Sequence, residues 1–229
     1  SRNPRDRSFA AKRLGELKAE PDILIALLGD PNGFVRSAAA EALGRTDETQ
    51  SPDVISHLLS VIDDPNHYVS AAAINSLGLL GADQAIDQIE TCLVDEHPII
   101  VQAAILSLAR INPERIKDRL EEFLASSEYL IHLAAVRACG WICHYPCAWH
   151  ILQYLKDFLQ TNETSDFKLP KLYIDVLMRL NVKEAIPTLV EIAEREVGLR
   201  GFAVEALVEM NAKEAASVLS PLLSDPSYH

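Results

Sequence analysis

The chain has 229 residues but only 9 Gly, 6 Phe, 6 Tyr and 2 Trp. So few aromatics, beside 28 Ala and 31 Leu, exclude an all-β sandwich, whose strands draw on aromatic and β-branched side chains. A run of about 18 apolar residues is missing, so no membrane-spanning helix is expected. A basic, apolar, small-residue leader is missing as well. Cysteine is scarce, with 4 residues, and free thiols in a reducing, cytoplasmic setting are expected. At 48 % hydrophobic residues, the chain is too apolar to stay disordered.

Positive charge is also in short supply. The net charge is −12, which argues against a nucleic-acid partner, because phosphate binding needs clustered Lys and Arg. The charge is uneven: +4 over residues 1–19, −11 over 20–110 and −5 over 111–229. The acidic stretch suits a protein partner with a basic surface, or simply a well-solvated face.

What is present is a repeat. The segment from Asp30 to Gly44 (DPNGFVRSAAAEALG) returns from Asp64 to Gly78 (DPNHYVSAAAINSLG). Fainter copies start at Val101, Ile131, Leu169 and Leu199, and a partial copy runs from Asp6 to Gly15. Counting from Val35 and Val69, the intervals are 34, 32, 30, 38 and 30 residues. Each unit reads as two helices, with apolar residues at offsets 0, 4, 7 and 8 of the second helix. Val35, Ala39, Ala42 and Leu43 show the pattern. Pro21, Pro52 and Pro113 stand where first helices begin, and Ser51 is placed to cap one. Glycine follows the core position at Gly15, Gly44, Gly78 and Gly140, where a missing side chain lets neighbouring helices approach. One such pair cannot bury its apolar face alone, so the pairs must stack. The pattern predicts an all-α, right-handed α/α superhelix of about six helical pairs with half-units at both ends. Residues 1–229 read as one array with an irregular, inserted repeat at about 144–168, including a polar loop from Thr161 to Asp166. Both ends fall mid-repeat, so a longer array or added caps are expected.

The unit Asp30…Val35-Arg36-x-x-Ala39-x-x-Ala42-Leu43-Gly44 resembles the HEAT-like repeat named after the phycobilisome lyases. The family's Asp and Arg six apart appear as Asp30/Arg36 and, with Glu, as Glu194/Arg200. The Arg position is otherwise Ser70, Gln102, His132 and Pro170, so any such ladder is interrupted. The resemblance implies relatives that attach bilins to phycocyanin, as well as adaptors and domains of larger proteins. HEAT-like DNA glycosylases would need a basic surface, and deoxyhypusine hydroxylases would need His-Glu dipeptides. Neither is found.

Two constellations could carry function. On the second helices, offset 6 gives the polar row Lys12, Glu41, Asn75, Ser107, Arg137, Asp175 and Glu205. Beside it, offset 5 gives Ala11, Ala40, Ile74, Leu106, Val136, Ile174 and Val204. The apolar row is either lateral packing between second helices or an exposed concave ridge for a partner segment. The second constellation is Cys139, Cys143, His144 and Cys147, with thiols at i, i+4 and i+8. On an unbroken helix they would share a face and could hold a metal or touch a bilin. Against this, Cys139 sits at a core offset and Pro146 interrupts the helix. Trp141, Tyr145, Trp149 and Tyr154 surround the irregular repeat, as a binding patch or as gap filling.

The expected function is a non-enzymatic scaffold that binds a protein on the second-helix face, with no cofactor and no metal. A bilin lyase-type subunit is the alternative, holding a tetrapyrrole through Asp175, Trp141, Tyr173 and Cys143. A repeat domain of a larger signalling protein is the third.

Overall fold

In the computed structural model, residues 3–18, 21–46, 51–161, 167–213 and 216 are described. Among them are thirteen α-helices and no strand. Contacts divide the chain into two compact units, residues 1–135 and 136–229.

Unit 1 holds α1 (Pro4–Glu16), α2 (Pro21–Leu27), α3 (Gly33–Leu43), α4 (Pro52–Ser60), α5 (His67–Leu80), α6 (Ile86–Thr91), α7 (Pro98–Ile111) and α8 (Leu120–Leu124). The second helices are α1, α3, α5 and α7, and each packs on the next. The first helices α2, α4 and α6 lie against the second helices that follow them. Helix starts follow from local chemistry. The side chains of Asn3, Asn32 and Asn66 accept the N–H groups of Arg5, Phe34 and Tyr68, satisfying donors that the first turn leaves open. Pro21 and Pro52 open their helices as expected, but the Ser51 side chain makes no capping bond. Pro113 opens a short 3₁₀ turn instead, and the first helix of that repeat shrinks to α8.

The glycine reading holds, and it explains the spacing of the second helices. A Cβ on Gly44 would lie 2.8 Å from Cα of Ser76, and one on Gly78 the same distance from Cα of Ser107. Gly15 faces Ala42 in the same way. The serines turn this contact into a tie. Ser76 Oγ donates to the Ala40 carbonyl at 2.8 Å, and Ser107 Oγ donates to the Ile74 carbonyl at 2.9 Å. Both hydroxyls are buried and satisfied.

This equivalence corrects the alignment of α7. Ser107 does the work of Ser76, which is seven residues after Val69, so the α7 register starts at Ile100 and not Val101. Ala104 then matches Ala39 and Ala73, and Asp95 matches Asp30 and Asp64. The Val101-Gln-Ala-Ala segment mimics the motif one residue out of step because α7 is apolar on nearly every side.

Unit 2 follows α9 (Tyr129–Trp141), which spans the division. It contains α10 (Ala148–Thr161), α11 (Lys168–Arg179), α12 (Ile186–Arg195) and α13 (Arg200–Glu209). Helix α11 packs on α10 and α13, and α12 packs on α13. Gly140 here faces a Val176 methyl at 2.9 Å rather than a backbone atom. The first helix of the irregular repeat, α10, is long, at 14 residues. Aromatics fill the space beside it: Tyr154 stacks on Tyr173 with centroids 6.1 Å apart, and Phe158 meets Phe167 edge-on at 6.2 Å. The expected loop after Thr161 and the segment from Leu222 to Pro226 lie outside the described residues.

Candidate functional site

The apolar row of the second helices is not an exposed ridge. Ile74 and Val136 are 0 % exposed, Ile174 2 % and Leu106 8 %. Only Val204 is half-buried. A second helix with neighbours on both sides buries more than one stripe, so offset 5 becomes lateral packing. The polar row stays at the surface: Arg137 and Glu205 are exposed, and Glu41, Asn75 and Asp175 are half-buried. Ser107 leaves this row for the buried tie described above, and Leu106 takes its place. Asp175 pairs with Arg179 at 2.8 Å.

The cysteines do not converge. Helix α9 ends at Trp141, and His144 N–H closes the turn on the Cys139 carbonyl at 3.0 Å. The same bond runs from Ala82 to Leu77, Val182 to Leu177 and Ala212 to Leu207. The residue inside each turn is left-handed: Gly81, Cys143, Asn181 and Asn211, with φ of 64°, 53°, 53° and 55°. This is the left-handed helix stop that glycine and asparagine favour. The cysteine spacing is therefore three repeat positions. Cys139 stands where Leu77 and Leu207 stand, in the core. Cys143 stands where Gly81 and Asn181 stand, at an exposed turn. Cys147 stands where Ala85 and Ala185 stand, buried at the end of a 3₁₀ lead-in. Among the described residues there is no group of three or more His, Cys, Asp and Glu able to hold a metal ion.

Sequence reasoning saw the glycines but missed this turn. Its signal was the series Gly81-Ala-Asp-Gln-Ala85 and Asn181-Val-Lys-Glu-Ala185.

The aromatics near the irregular repeat divide into two sets. Tyr154 fills space, as above. Trp141, Tyr145 and Trp149 are exposed. In the same register, their positions in unit 1 are held by Leu79, Asp83 and Asp87, all exposed. The core therefore does not require these rings. Tyr145 Oη donates to Glu184 at 3.2 Å, and Lys156 lies 5.6 Å from the Trp149 ring centroid.

With this geometry in hand, comparison with known proteins is direct. Residues 1–62 and 55–140 match the family described as HEAT repeats. The chain belongs to the HEAT-repeat family. No curated protein matches it in sequence. The complex of CpcE and CpcF of phycocyanin lyase from Nostoc sp. PCC7120 is similar in fold. Its TM-score is 0.59 at 20 % identity, over 90 % of this chain and 88 % of that one. An archaeal HEAT-like repeats protein from Thermococcus onnurineus NA1 gives 0.51 at 17 % identity, over 93 % and 94 % of the two chains. An engineered protein gives 0.51 at 16 % identity, over 84 % and 96 %. No helix among the described residues is long and apolar enough to cross a membrane.

Within these HEAT repeats, the Asp/Arg signature works between repeats as well as inside them. Arg36 donates from Nη1 to the Asp30 carbonyl at 2.8 Å, a turn tie within the unit. Its other nitrogens clasp both carboxylate oxygens of Asp64, one repeat on, at 2.7 Å. Arg7 clasps Asp30 in the same manner at 2.6 and 2.8 Å. The ladder stops at Ser70, which keeps only the backbone tie, to the Asp64 carbonyl at 3.0 Å. In later repeats the side chain at this position reaches other backbone carbonyls, His132 to Leu124 at 2.7 Å and Arg200 to Ala193 at 2.9 Å. The hydrogen bonds from Arg7 hold the Asp30 carboxyl below its usual range. Burial pushes Asp64 up, but the Arg36 hydrogen bonds, the Asn66 N–H and the Arg36 charge together bring it below its usual range.

Proposed function

We propose that this HEAT-repeat protein is a non-enzymatic interaction module that binds a protein partner on the solvent-facing side of its second helices. This reading treats residues 1–229 as one repeat array, as the periodicity suggests. The observation that carries it is the contrast within α3, α5, α9, α11 and α13, which α7 lacks because buried Leu106 takes offset 6. Offsets 5 and 7 are committed to helix packing, while offset 6 presents mixed charge from Glu41, Asn75, Arg137, Asp175 and Glu205. A row of that kind costs little to expose and selects partners by charge pattern. The HEAT-repeat family supports a binding role.

The test is affinity capture from the source cell with the full chain, wild type beside Arg137→Glu/Glu205→Arg. Both residues are exposed, so the fold is kept. Val136→Asp would instead bury a carboxylate, since Val136 is fully buried. Loss of one specific partner supports the proposal. An identical set of captured proteins refutes it for this part of the row.

A chromophore-handling role is the second reading, supported by the likeness to the phycocyanin lyase complex. Exposed Trp141 and Cys143 and surface Asp175 are at hand for it, whereas Tyr173 is buried. A spectral shift on mixing with phycocyanobilin would favour it, and an unchanged spectrum at high concentration would rule it out.

A further inference from the structure

We propose that the groove between α1 and α3 receives an acidic peptide segment carrying one apolar side chain. The proposal rests on the reading of the chain as an interaction module and names the chemistry of one partner. The groove is a cavity of about 500 Å³ within unit 1. Its two walls share one spacing. Helix α1 supplies Arg5, Ser8 and Lys12, and α3 supplies Phe34, Ser37 and Glu41. Each set falls at i, i+3 and i+7, so each lies on one helix face. Tyr68, at the start of α5, also lines the groove.

Three observations select the occupant. First, Phe34 is 73 % exposed and Tyr68 53 %. They are equivalent positions in consecutive repeats, and neither ring contributes to the core. Two exposed rings at the rim of a cavity suit an apolar anchor. Second, Arg5 and Lys12 form no ion pair among the described residues, in contrast to Arg7, Arg13 and Arg36. Glu41 is the one carboxylate among the lining residues, so the side chains sum to +1 in a chain of −12. Helices α1, α3 and α5 all start at this end and add the positive ends of their dipoles. A basic segment would meet repulsion here, and an acidic one is attracted here and repelled by the acidic surface elsewhere on the chain. Third, the distance fits. Seven residues of helix separate Arg5 from Lys12, about 10 Å along the axis at 1.5 Å per residue. About three residues of polyproline II chain, one turn at 3.1 Å per residue, span that distance and bring side chains i and i+3 to one face. The matching ligand has two carboxylates three residues apart and an apolar residue between them.

The probe is fluorescein-labelled Gly-Glu-Phe-Ser-Glu-Gly, titrated into the full chain at low salt and followed by fluorescence anisotropy. Controls are the peptide with Lys for both Glu, and the peptide with Gly for Phe. Variants are Lys12→Glu, Phe34→Ala and Glu41→Gln, each checked for unchanged thermal unfolding; all three positions are at the surface. Binding is expected for the acidic peptide, at least tenfold weaker for both controls and for Lys12→Glu and Phe34→Ala. It is expected to be tighter for Glu41→Gln and to weaken with added salt. No binding of the acidic peptide, equal binding of the lysine peptide, or indifference to Lys12→Glu would overturn the groove. If those results come with partner capture that still depends on Arg137 and Glu205, the groove fails and the interaction module stands. If nothing is captured either, both fail.

Discussion

The two units solve one packing problem with different parts. In unit 1 the second helices meet through bare glycine against the backbone of a small residue, Gly44 on Ser76 and Gly78 on Ser107. Buried serine hydroxyls reinforce the contact, and Arg–Asp clasps link the turns of successive repeats. In unit 2 the same glycine position meets a valine methyl. The arginine at the clasp position, Arg200, donates to the Ala193 carbonyl, and tyrosine and phenylalanine pairs fill the space beside a longer first helix. The repeat therefore specifies where neighbours touch, and local residues decide how rigidly. Contacts between backbones admit no adjustment, whereas contacts through side-chain ends can shift.

The glycine positions give the largest test of that contrast. Gly78→Ala and Gly44→Ala should each lose about 2–3 kcal/mol, because the new methyl meets backbone that cannot retreat. Gly140→Ala should stay within about 1 kcal/mol of wild type, since the Val176 methyl can move and alanine's helix propensity offsets the crowding. Urea unfolding followed by circular dichroism measures both. Equal losses at all three positions would show that the units are packed alike.

The clasps come next. Arg36→Met leaves the mostly buried Asp64 carboxylate without its partner and should cost about 2 kcal/mol. Arg200→Met removes donors to the Ala193 and Glu194 carbonyls and should cost about 1 kcal/mol.

Acid should expose the same difference. Asp30 and Asp64, both in unit 1, bind their protons less tightly folded than unfolded. Their contribution is complete above the ordinary carboxylate range, near 4. It disappears as the pH falls through their lower folded values. Stability measured from pH 5 downward should decline, and Asp64→Asn should flatten that decline while lowering stability at neutral pH. An unchanged acid limb in Asp64→Asn would contradict the assignment.

The smallest effect lies in the helix stops. Cys143 occupies a left-handed position that other repeats give to Gly81, Asn181 and Asn211. Cys143→Gly should therefore raise stability by about 0.5–1 kcal/mol. No change, or a loss, would mean that the thiol makes compensating contacts.

Much of this fold was legible in the sequence because a repeat reports each position several times. The helical pairs, the core offsets and the close approach at Gly15, Gly44, Gly78 and Gly140 could all be read from period and residue size. What misled was local likeness. Val101-Gln-Ala-Ala copied the motif one residue out of step, since α7 is apolar nearly all round and carries no phase of its own. The cysteines at 139, 143 and 147 imitated a helical face, although a left-handed turn separates them. The apolar row through Ile74 and Val136 stayed open between lateral packing and a free ridge, because one helix considered alone does not show how many neighbours it packs against. The Arg7–Asp30 and Arg36–Asp64 clasps were not legible for a similar reason: the spacing of six marks the tie within a repeat, while the same side chains also reach across to the next one.

The central claim is that the second helices present the binding surface. It is tested most directly by titrating the captured partner into two double variants of the full chain. Arg137→Glu/Glu205→Arg alters exposed positions on second helices α9 and α13. Glu191→Arg/Arg195→Glu reverses an exposed ion pair on first helix α12. The account predicts at least a tenfold loss of affinity in the first and wild-type affinity in the second. Loss in the α12 variant with full binding by the other would place the partner on the first helices and contradict it.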